Sequence, residues 1–197
     1  QAAIAAIHEQ IRQGNTYQVN YTTCLSADLA ADSLAVYNRL VIEQGASYNA
    51  YISHDDFAVV SVSPELFFEK RGQKLITRPM KGTTKRGLTA ASDLKNKEWL
   101  QNDTKNRAEN LMIVDLLRND MGRISEIDSV RVTKLCQVEQ YSTVWQMTST
   151  IESQLQKDKG LPAIFEALFP CGSITGAPKI ATMAIRSEER RVGKECS

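Results

Sequence analysis

Residues 66–87 read Leu66-Phe67-Phe68-Glu69-Lys70-Arg71-Gly72-Gln73-Lys74-Leu75-Ile76-Thr77-Arg78-Pro79-Met80-Lys81-Gly82-Thr83-Thr84-Lys85-Arg86-Gly87. A strand over 66–70 meets a turn at Arg71-Gly72-Gln73, and a second strand is predicted over 74–78. The apolar residues end at Ile76. Pro79 then fixes one backbone dihedral, and Gly82 and Gly87 permit tight geometry. Arg78, Lys81, Lys85 and Arg86 place four cations within nine residues. The whole reads as a hairpin running into a basic loop. Lys81 stands apart there, between apolar Met80 and Gly82. A lysine held against apolar neighbours has its neutral, nucleophilic form favoured. The plain alternative is a solvated basic hairpin that binds nothing.

Working upstream, strands are predicted over 48–53 and 57–62, joined by the turn His54-Asp55-Asp56. His54 takes no role. Ser63-Pro64-Glu65 then interrupts the strand pattern. Ile4, Ile7 and Ile11 mark one face of an amphipathic helix over 2–13, which Gly14 stops. Residues 16–23 alternate and read as a strand, with Gln18 and Asn20 on one face and Tyr17, Val19 and Tyr21 on the other. The amide face is either a pocket lining or an exposed strand face. A helix over 33–44 has Leu34, Tyr37, Leu40 and Val41 as its core stripe. Helix followed by consecutive short hairpins predicts an α+β domain with antiparallel sheet.

Glu65 follows a proline at the strand break, beside Leu66 and Phe67. A carboxyl in apolar surroundings has a raised pKa and can serve as a general acid. The alternative is an exposed glutamate at a strand end. Downstream, helices are predicted over 90–100 and 105–119, with caps offered by Asn102-Asp103-Thr104. The second is apolar nearly all round its centre, which predicts burial. Glu109 in its first turns then needs a partner. Either a hard divalent cation, an ion pair with Arg107, or a neighbouring lysine serves. Asp115 and Arg118 are spaced to pair. Strands follow over 130–135, 137–141 and 143–151, then a short helix over 161–169. Phe169-Pro170-Cys171-Gly172-Ser173-Ile174-Thr175-Gly176-Ala177-Pro178-Lys179 leads to a last helix, with Pro178 in its first turn. The start of that helix is either a carboxylate or phosphate site or an ordinary capped terminus.

Composition narrows the classes. The chain has 197 residues, 42% hydrophobic and 24% charged, enough for one domain with a core. A net charge of +1 supplies no basic field for nucleic acid. Cys24, Cys136, Cys171 and Cys196 form no metal or disulfide pattern, so reduced thiols in the cytoplasm are the default. No apolar run approaches the roughly 18 residues of a membrane span, and there is no signal-peptide pattern. The chain opens without methionine inside a predicted helix, as a fragment would.

Five runs together resemble the chorismate-binding enzymes. They are Tyr17-Gln18-Val19-Asn20, Ser63-Pro64-Glu65, Arg78-Pro79-Met80-Lys81-Gly82-Thr83, Arg107-Ala108-Glu109-Asn110-Leu111-Met112-Ile113-Val114-Asp115-Leu116 with Arg118-Asn119-Asp120, and Gly172-Ser173-Ile174-Thr175-Gly176-Ala177-Pro178-Lys179. The resemblance implies an α+β fold of packed, mainly antiparallel sheets with helices outside. A lysine at position 81 resembles the aminodeoxychorismate synthases, where anthranilate and isochorismate synthases usually carry alanine. The implied reaction replaces the C4 hydroxyl of chorismate with ammonia, toward p-aminobenzoate and folate. Lys81 would add to the ring at C2, and Glu65 would be the general acid. Glu109 would ligate Mg²⁺. Gly172, Ser173 and Thr175 would contact chorismate. The full enzyme would dock a glutamine amidotransferase subunit. At Gln146 the anthranilate synthases carry a histidine, and a glutamine there still hydrogen-bonds but moves no proton. Anthranilate synthase component I and a non-catalytic fragment are the competing readings.

The resemblance covers residues 1–186. Residues 187–197 are unlike the family, which would continue with a substrate-binding arginine, a glycine-rich loop and a second carboxylate for Mg²⁺. The expectation is a partial domain over 1–186, a tail over 187–197, half a metal site and little or no turnover.

Overall fold

The computed structural model describes residues 2–45 and 47–192. Its frame is a five-stranded antiparallel sheet built on one long strand. β1 (Gln18–Val19), β2 (Tyr48–Ser53) and β3 (Ala58–Ser63) precede it. β4 (Leu66–Arg71) and β5 (Lys74–Arg78) form the hairpin expected from Arg71-Gly72-Gln73. β6 (Met80–Lys85) follows, then, beyond two helices, β7 (Arg131–Gln140) and β8 (Val144–Gln154). β5 and β6 lie end to end along one edge of β8, broken at Pro79, and β7 covers the other edge. Proline has no N–H for a ladder. Its carbonyl still accepts from the Ser149 N–H at 3.2 Å.

Most of the stretch 79–87 is therefore a strand, β6, where a basic loop was expected. The fold also takes the charge run apart. Arg78 pairs with Glu139, Arg86 with Asp93 and Lys81 with a backbone carbonyl. Asp93 also accepts from the Gly87 N–H and the Trp145 indole. The Arg86 guanidinium, with these bonds, holds its carboxyl well below the usual range.

α3 (Ala90–Asn102) and α4 (Thr104–Gly122) cross one face of the sheet. Asp103 caps α4 by accepting the Asn106 N–H at 2.8 Å. Only one side of α4 is buried: Asn110, Ile113, Val114, Leu117, Asp120 and Met121. Leu111 on the other side is exposed, which corrects the all-round burial expected. The buried side packs on Leu75 and Ile151 of the sheet and on Ile164 and Leu168 of α5 (Leu161–Leu168). Each fully buried aliphatic side chain here contributes about 1.5–3 kcal/mol. Asp115 and Arg118 pair at 2.9 Å, as their spacing predicts.

Other expectations shift. The strand expected over 16–23 shrinks to β1, since its only partner, β9 (Gly176–Ala177), is two residues long. Tyr17 and Tyr21 are exposed. α1 (Ala2–Arg12) buries Ile7 but leaves Ile4 and Ile11 exposed. α2 (Ser33–Gln44) lies on β3 with no fully buried residue, and Leu34 is exposed. The two strands expected over 130–135 and 137–141 are one strand, β7, bulged at Cys136, whose φ is 50°. The last motif forms a single turn, α6 (Gly172–Thr175), then β9, before α7 (Lys179–Val192) begins. Pro178 precedes α7, and its carbonyl accepts the Thr182 N–H at 2.9 Å. Of the tail expected over 187–197, residues 193–197 lie outside the described residues.

Candidate active site

The turn after β3 builds the first part of the site. The Ser63 hydroxyl accepts the Glu65 N–H and donates to the Glu65 carbonyl, both at 3.2 Å. This local turn points Glu65 toward the start of β6, where its Oε1 accepts the Met80 N–H at 3.4 Å. Burial pushes the Glu65 carboxyl up from its ordinary value of 4.5. The Ser173 hydroxyl, the Met80 N–H and the Lys81 charge pull it partly back.

Lys81 enters from β6. Its Nζ donates to the Ser173 carbonyl at 2.9 Å. The sequence suggested apolar surroundings for this amine, yet its nearest partner is a polar backbone oxygen. The same carbonyl accepts the Asn20 side-chain amide at 2.7 Å. Ser173 is thus the hub of the cluster, its carbonyl facing Lys81 and its hydroxyl facing Glu65 and the Cys171 thiol, the latter at 3.1 Å. Burial raises the Cys171 thiol pKa.

Glu65, Cys171 and Ser173 border a cavity of about 200 Å³, lined also by Ser63, Phe67, Phe169 and Ile174, while Lys81 and Asn20 reach only the Ser173 carbonyl beside it. Two phenyl rings and one acid make a place for a small, partly apolar ring bearing polar groups. Two larger hollows lie elsewhere, about 460 Å³ beside α1 and about 480 Å³ beside α3, the latter lined by Lys95, Glu98, Trp99 and Asp103 and holding none of the site residues singled out in the sequence.

The other predicted residues take different places. Gly172 is buried against Leu116, and a Cβ on it would come within 2.5 Å of that side chain. Its lack of a side chain serves packing of α6 on α4. The Thr175 hydroxyl turns to the Cys171 carbonyl at 3.1 Å, and the Thr175 carbonyl accepts the Asn20 N–H. Neither residue lines the cavity. Gln146 on β8 accepts from the Thr83 hydroxyl at 2.8 Å. Glu109 is not buried: its side chain is 37% exposed, with Lys105 3.9 Å away. The buried residue is its neighbour Asn110.

The fit of a metal can be judged from these donors. Glu109 offers one hard oxygen, and Mg²⁺ needs only one or two protein carboxylates when water and substrate supply the rest. Among the described residues no group of three or more His, Cys, Asp or Glu could hold a metal ion alone. Glu109, beside Lys105 and outside the cavity lining, could supply at most one protein donor to an ion completed by water and a ligand.

Sequence reasoning assigned no role to Phe67, Phe169 or Cys171, and left Asn20 between pocket and surface. The signal for Asn20 was its place on the amide face beside Gln18.

The raised Glu65 pKa has a consequence for stability. The folded chain binds that proton more tightly than the unfolded one, so stability falls as pH rises from 4.5 to the folded value. Glu65→Gln is expected to melt a few degrees higher than the parent at pH 8, with the gain vanishing below pH 4. Thermal melts across this range check it, and an equal difference at both ends contradicts it.

An amine and a carboxyl that share Ser173, the carboxyl lining a small cleft with two phenyl rings, have the make-up of a candidate small-molecule site. The comparisons give that class its family. The chain matches the chorismate binding enzyme family over residues 1–191, and it belongs to that family. It is 39% identical over 186 residues to aminodeoxychorismate synthase component 1 of Bacillus subtilis (strain 168), covering 94% of this chain and 40% of that protein. It is 37% identical over 185 residues to anthranilate synthase component 1 1 of Haloarcula marismortui, covering 94% of this chain and 38% of the relative. Among solved structures, anthranilate synthase component I from Streptococcus pneumoniae TIGR4 superposes with a TM-score of 0.85 at 29% identity, over 95% of this chain and 41% of that one. The chain thus spans about two-fifths of the length of these relatives. No helix among the described residues is long and apolar enough to cross a membrane.

Proposed function

We propose that this chain carries the reacting groups of a chorismate-aminating enzyme that makes 4-amino-4-deoxychorismate. The observation that supports it is the sharing of Ser173 by an amine and a raised-pKa carboxyl, Lys81 and Glu65. In the first step the Lys81 nitrogen bonds to C2 of the ring, both ring double bonds shift by one position away from C2, and the C4–O bond breaks. Glu65 gives its proton to the departing oxygen, which leaves as water. A carboxyl whose pKa is raised by burial suits that donation. In the second step ammonia adds at C4, both double bonds shift back, and the C2–N bond breaks to free Lys81. Glu65 recovers a proton from the incoming nitrogen. The ring's apolar edge would lie against Phe67 and Phe169, which pack edge to face. When bound at Glu109, Mg²⁺ would neutralise a substrate carboxylate.

The same reading makes the product a precursor of p-aminobenzoate and folate, in the cytoplasm, with ammonia delivered by a glutamine amidotransferase subunit. The words component 1 in the names of these relatives support a further component and say nothing of its chemistry. Gly172, Thr175 and Gln146 act in this reading by shaping the loop and strand around the substrate.

A second reading, anthranilate synthesis, is favoured by the Haloarcula and Streptococcus relatives. The two separate on product. In a protein that carries this segment together with the rest of the family's length, supplied with chorismate, ammonia and Mg²⁺, Lys81-dependent formation of 4-amino-4-deoxychorismate is the expected result, whereas this chain alone is expected to turn over little or not at all. Anthranilate formed equally well by Lys81→Ala would overturn it.

A further inference from the structure

The β6 ladder breaks between Met80 and Thr83, so Lys81 and Gly82 have no partners in register on β8. Gly82 sits at φ 100°, and a Cβ there would press on Asn106 of α4 at 3.1 Å. A bulge leaves backbone groups unpaired, and buried carbonyls need donors. One turn further along α4, Asn110 supplies one. Its Nδ2 donates to the Lys81 carbonyl at 3.4 Å and to the Met147 carbonyl of β8 at 3.3 Å. A single carboxamide therefore bridges both strands across the break.

The other end of that amide is held equally firmly. Asn110 Oδ1 accepts from the Ser149 hydroxyl at 2.5 Å and from the Cys136 thiol at 3.7 Å. Ser149 in turn accepts the Cys136 N–H at 2.9 Å, where β7 has its own bulge. Asn110 is fully buried and both ends of its amide are used, so its orientation is fixed by three strands.

We infer that Asn110 is a positioning residue that sets the backbone bulge at Lys81 and thereby aims its amine at Ser173 and Glu65. The inference rests on the reading of Lys81 as the reacting amine, but its test needs no turnover. The amine's bond to the Ser173 carbonyl lasts only while the bulge holds Lys81 in place. A role confined to packing would change the melting temperature and leave Lys81 no different from other lysines.

The experiment acylates this chain with an N-hydroxysuccinimidyl acetate under limiting reagent. Peptide mass spectrometry then reads the rate at Lys81 relative to exposed Lys105. Asn110→Leu keeps the size and removes the amide. It is expected to raise the Lys81 to Lys105 ratio about tenfold, as loss of one charge-assisted hydrogen bond implies. Ser149→Ala, which only unties one end of the amide, is expected to raise it less. An unchanged ratio in folded Asn110→Leu overturns the inference. Should that variant fail to fold, an unchanged ratio in Ser149→Ala overturns it instead. If the parent fails to capture chorismate covalently, the reading of Lys81 falls while the labelling ratio still decides the role of Asn110.

Discussion

Lys81→Ala is expected to lower the rate of chorismate amination by about 10⁴-fold or more, the scale on which loss of a covalent nucleophile is felt. The effect should appear in single turnovers at excess protein, followed by appearance of 4-amino-4-deoxychorismate. Lys81→Arg separates covalent chemistry from charge. Arginine keeps a cation beside Glu65 and donors toward the Ser173 carbonyl, yet it stays protonated and forms no bond to the ring. The account therefore predicts that arginine and alanine are equally inactive. Both variants should fold, because Lys81 is only partly buried and its loss leaves no cavity in the core. A fall of less than tenfold in either would assign Lys81 an electrostatic part alone.

The second large effect concerns the frame that holds Ser173. Lys179 Nζ binds Asp120 Oδ2 at 2.6 Å and the Ala167 carbonyl at 2.9 Å, with side-chain exposures of 10% and 8% for the pair. This contact ties the start of α7 to the end of α4 and to α5, and the loop carrying Ser173 lies between α5 and α7. Burial raises the Asp120 carboxyl pKa, and Lys179 opposes that rise. Lys179→Met leaves the acid buried alone and is expected to cost about 3–5 kcal/mol. The loss should be largest at alkaline pH and smaller at acid pH, where Asp120 takes up a proton. The double variant Asp120→Leu, Lys179→Met removes both charges and is expected to recover most of that stability, because desolvation offsets most of a buried pair's attraction. Urea melts at pH 5 and pH 8 measure all three chains. A double variant as unstable as Lys179→Met would mean that the pair itself stabilises the fold.

Local pattern carried the hairpin β4–β5, because alternating strand formers and the Arg71-Gly72-Gln73 turn lie within one short window. It also carried α3 and α4, whose caps and apolar faces are contiguous. It failed at β6, where glycine, threonines and cations look like a loop. That strand exists because β8, some sixty residues later, supplies its partner, and nothing local records this. It failed in the opposite sense at residues 16–23, where strand-forming side chains found only two residues to pair with. Apolar spacing in α1 and α2 marked faces that stay largely exposed, at Ile4 and Ile11 in α1 and Leu34 in α2.

The site divides in the same way. Lys81, Glu65 and Ser173 were named through motif resemblance and local oddity. That they meet follows from β5 and β6 running in line along β8 and from the turn α6 packing on α4. Glu109 was judged buried from an apolar helix, but the buried face falls one position on, at Asn110. One residue is about 100° around a helix, enough to turn a side chain from core to solvent. Alternation marked Asn20 only as one of an amide face, and nothing local marked Asn110, whose partners come from three separate strands.

The account rests on a covalent bond between Lys81 and the substrate ring. Incubating the chain with chorismate and Mg²⁺ in the absence of ammonia, followed by acid quench and peptide mass spectrometry, tests this directly. The predicted result is an adduct of chorismate less one water on the peptide containing Lys81, absent from Lys81→Arg and slowed in Glu65→Gln. An adduct spread equally over exposed lysines such as Lys105, or none on Lys81 while product still forms once ammonia is supplied, would contradict it.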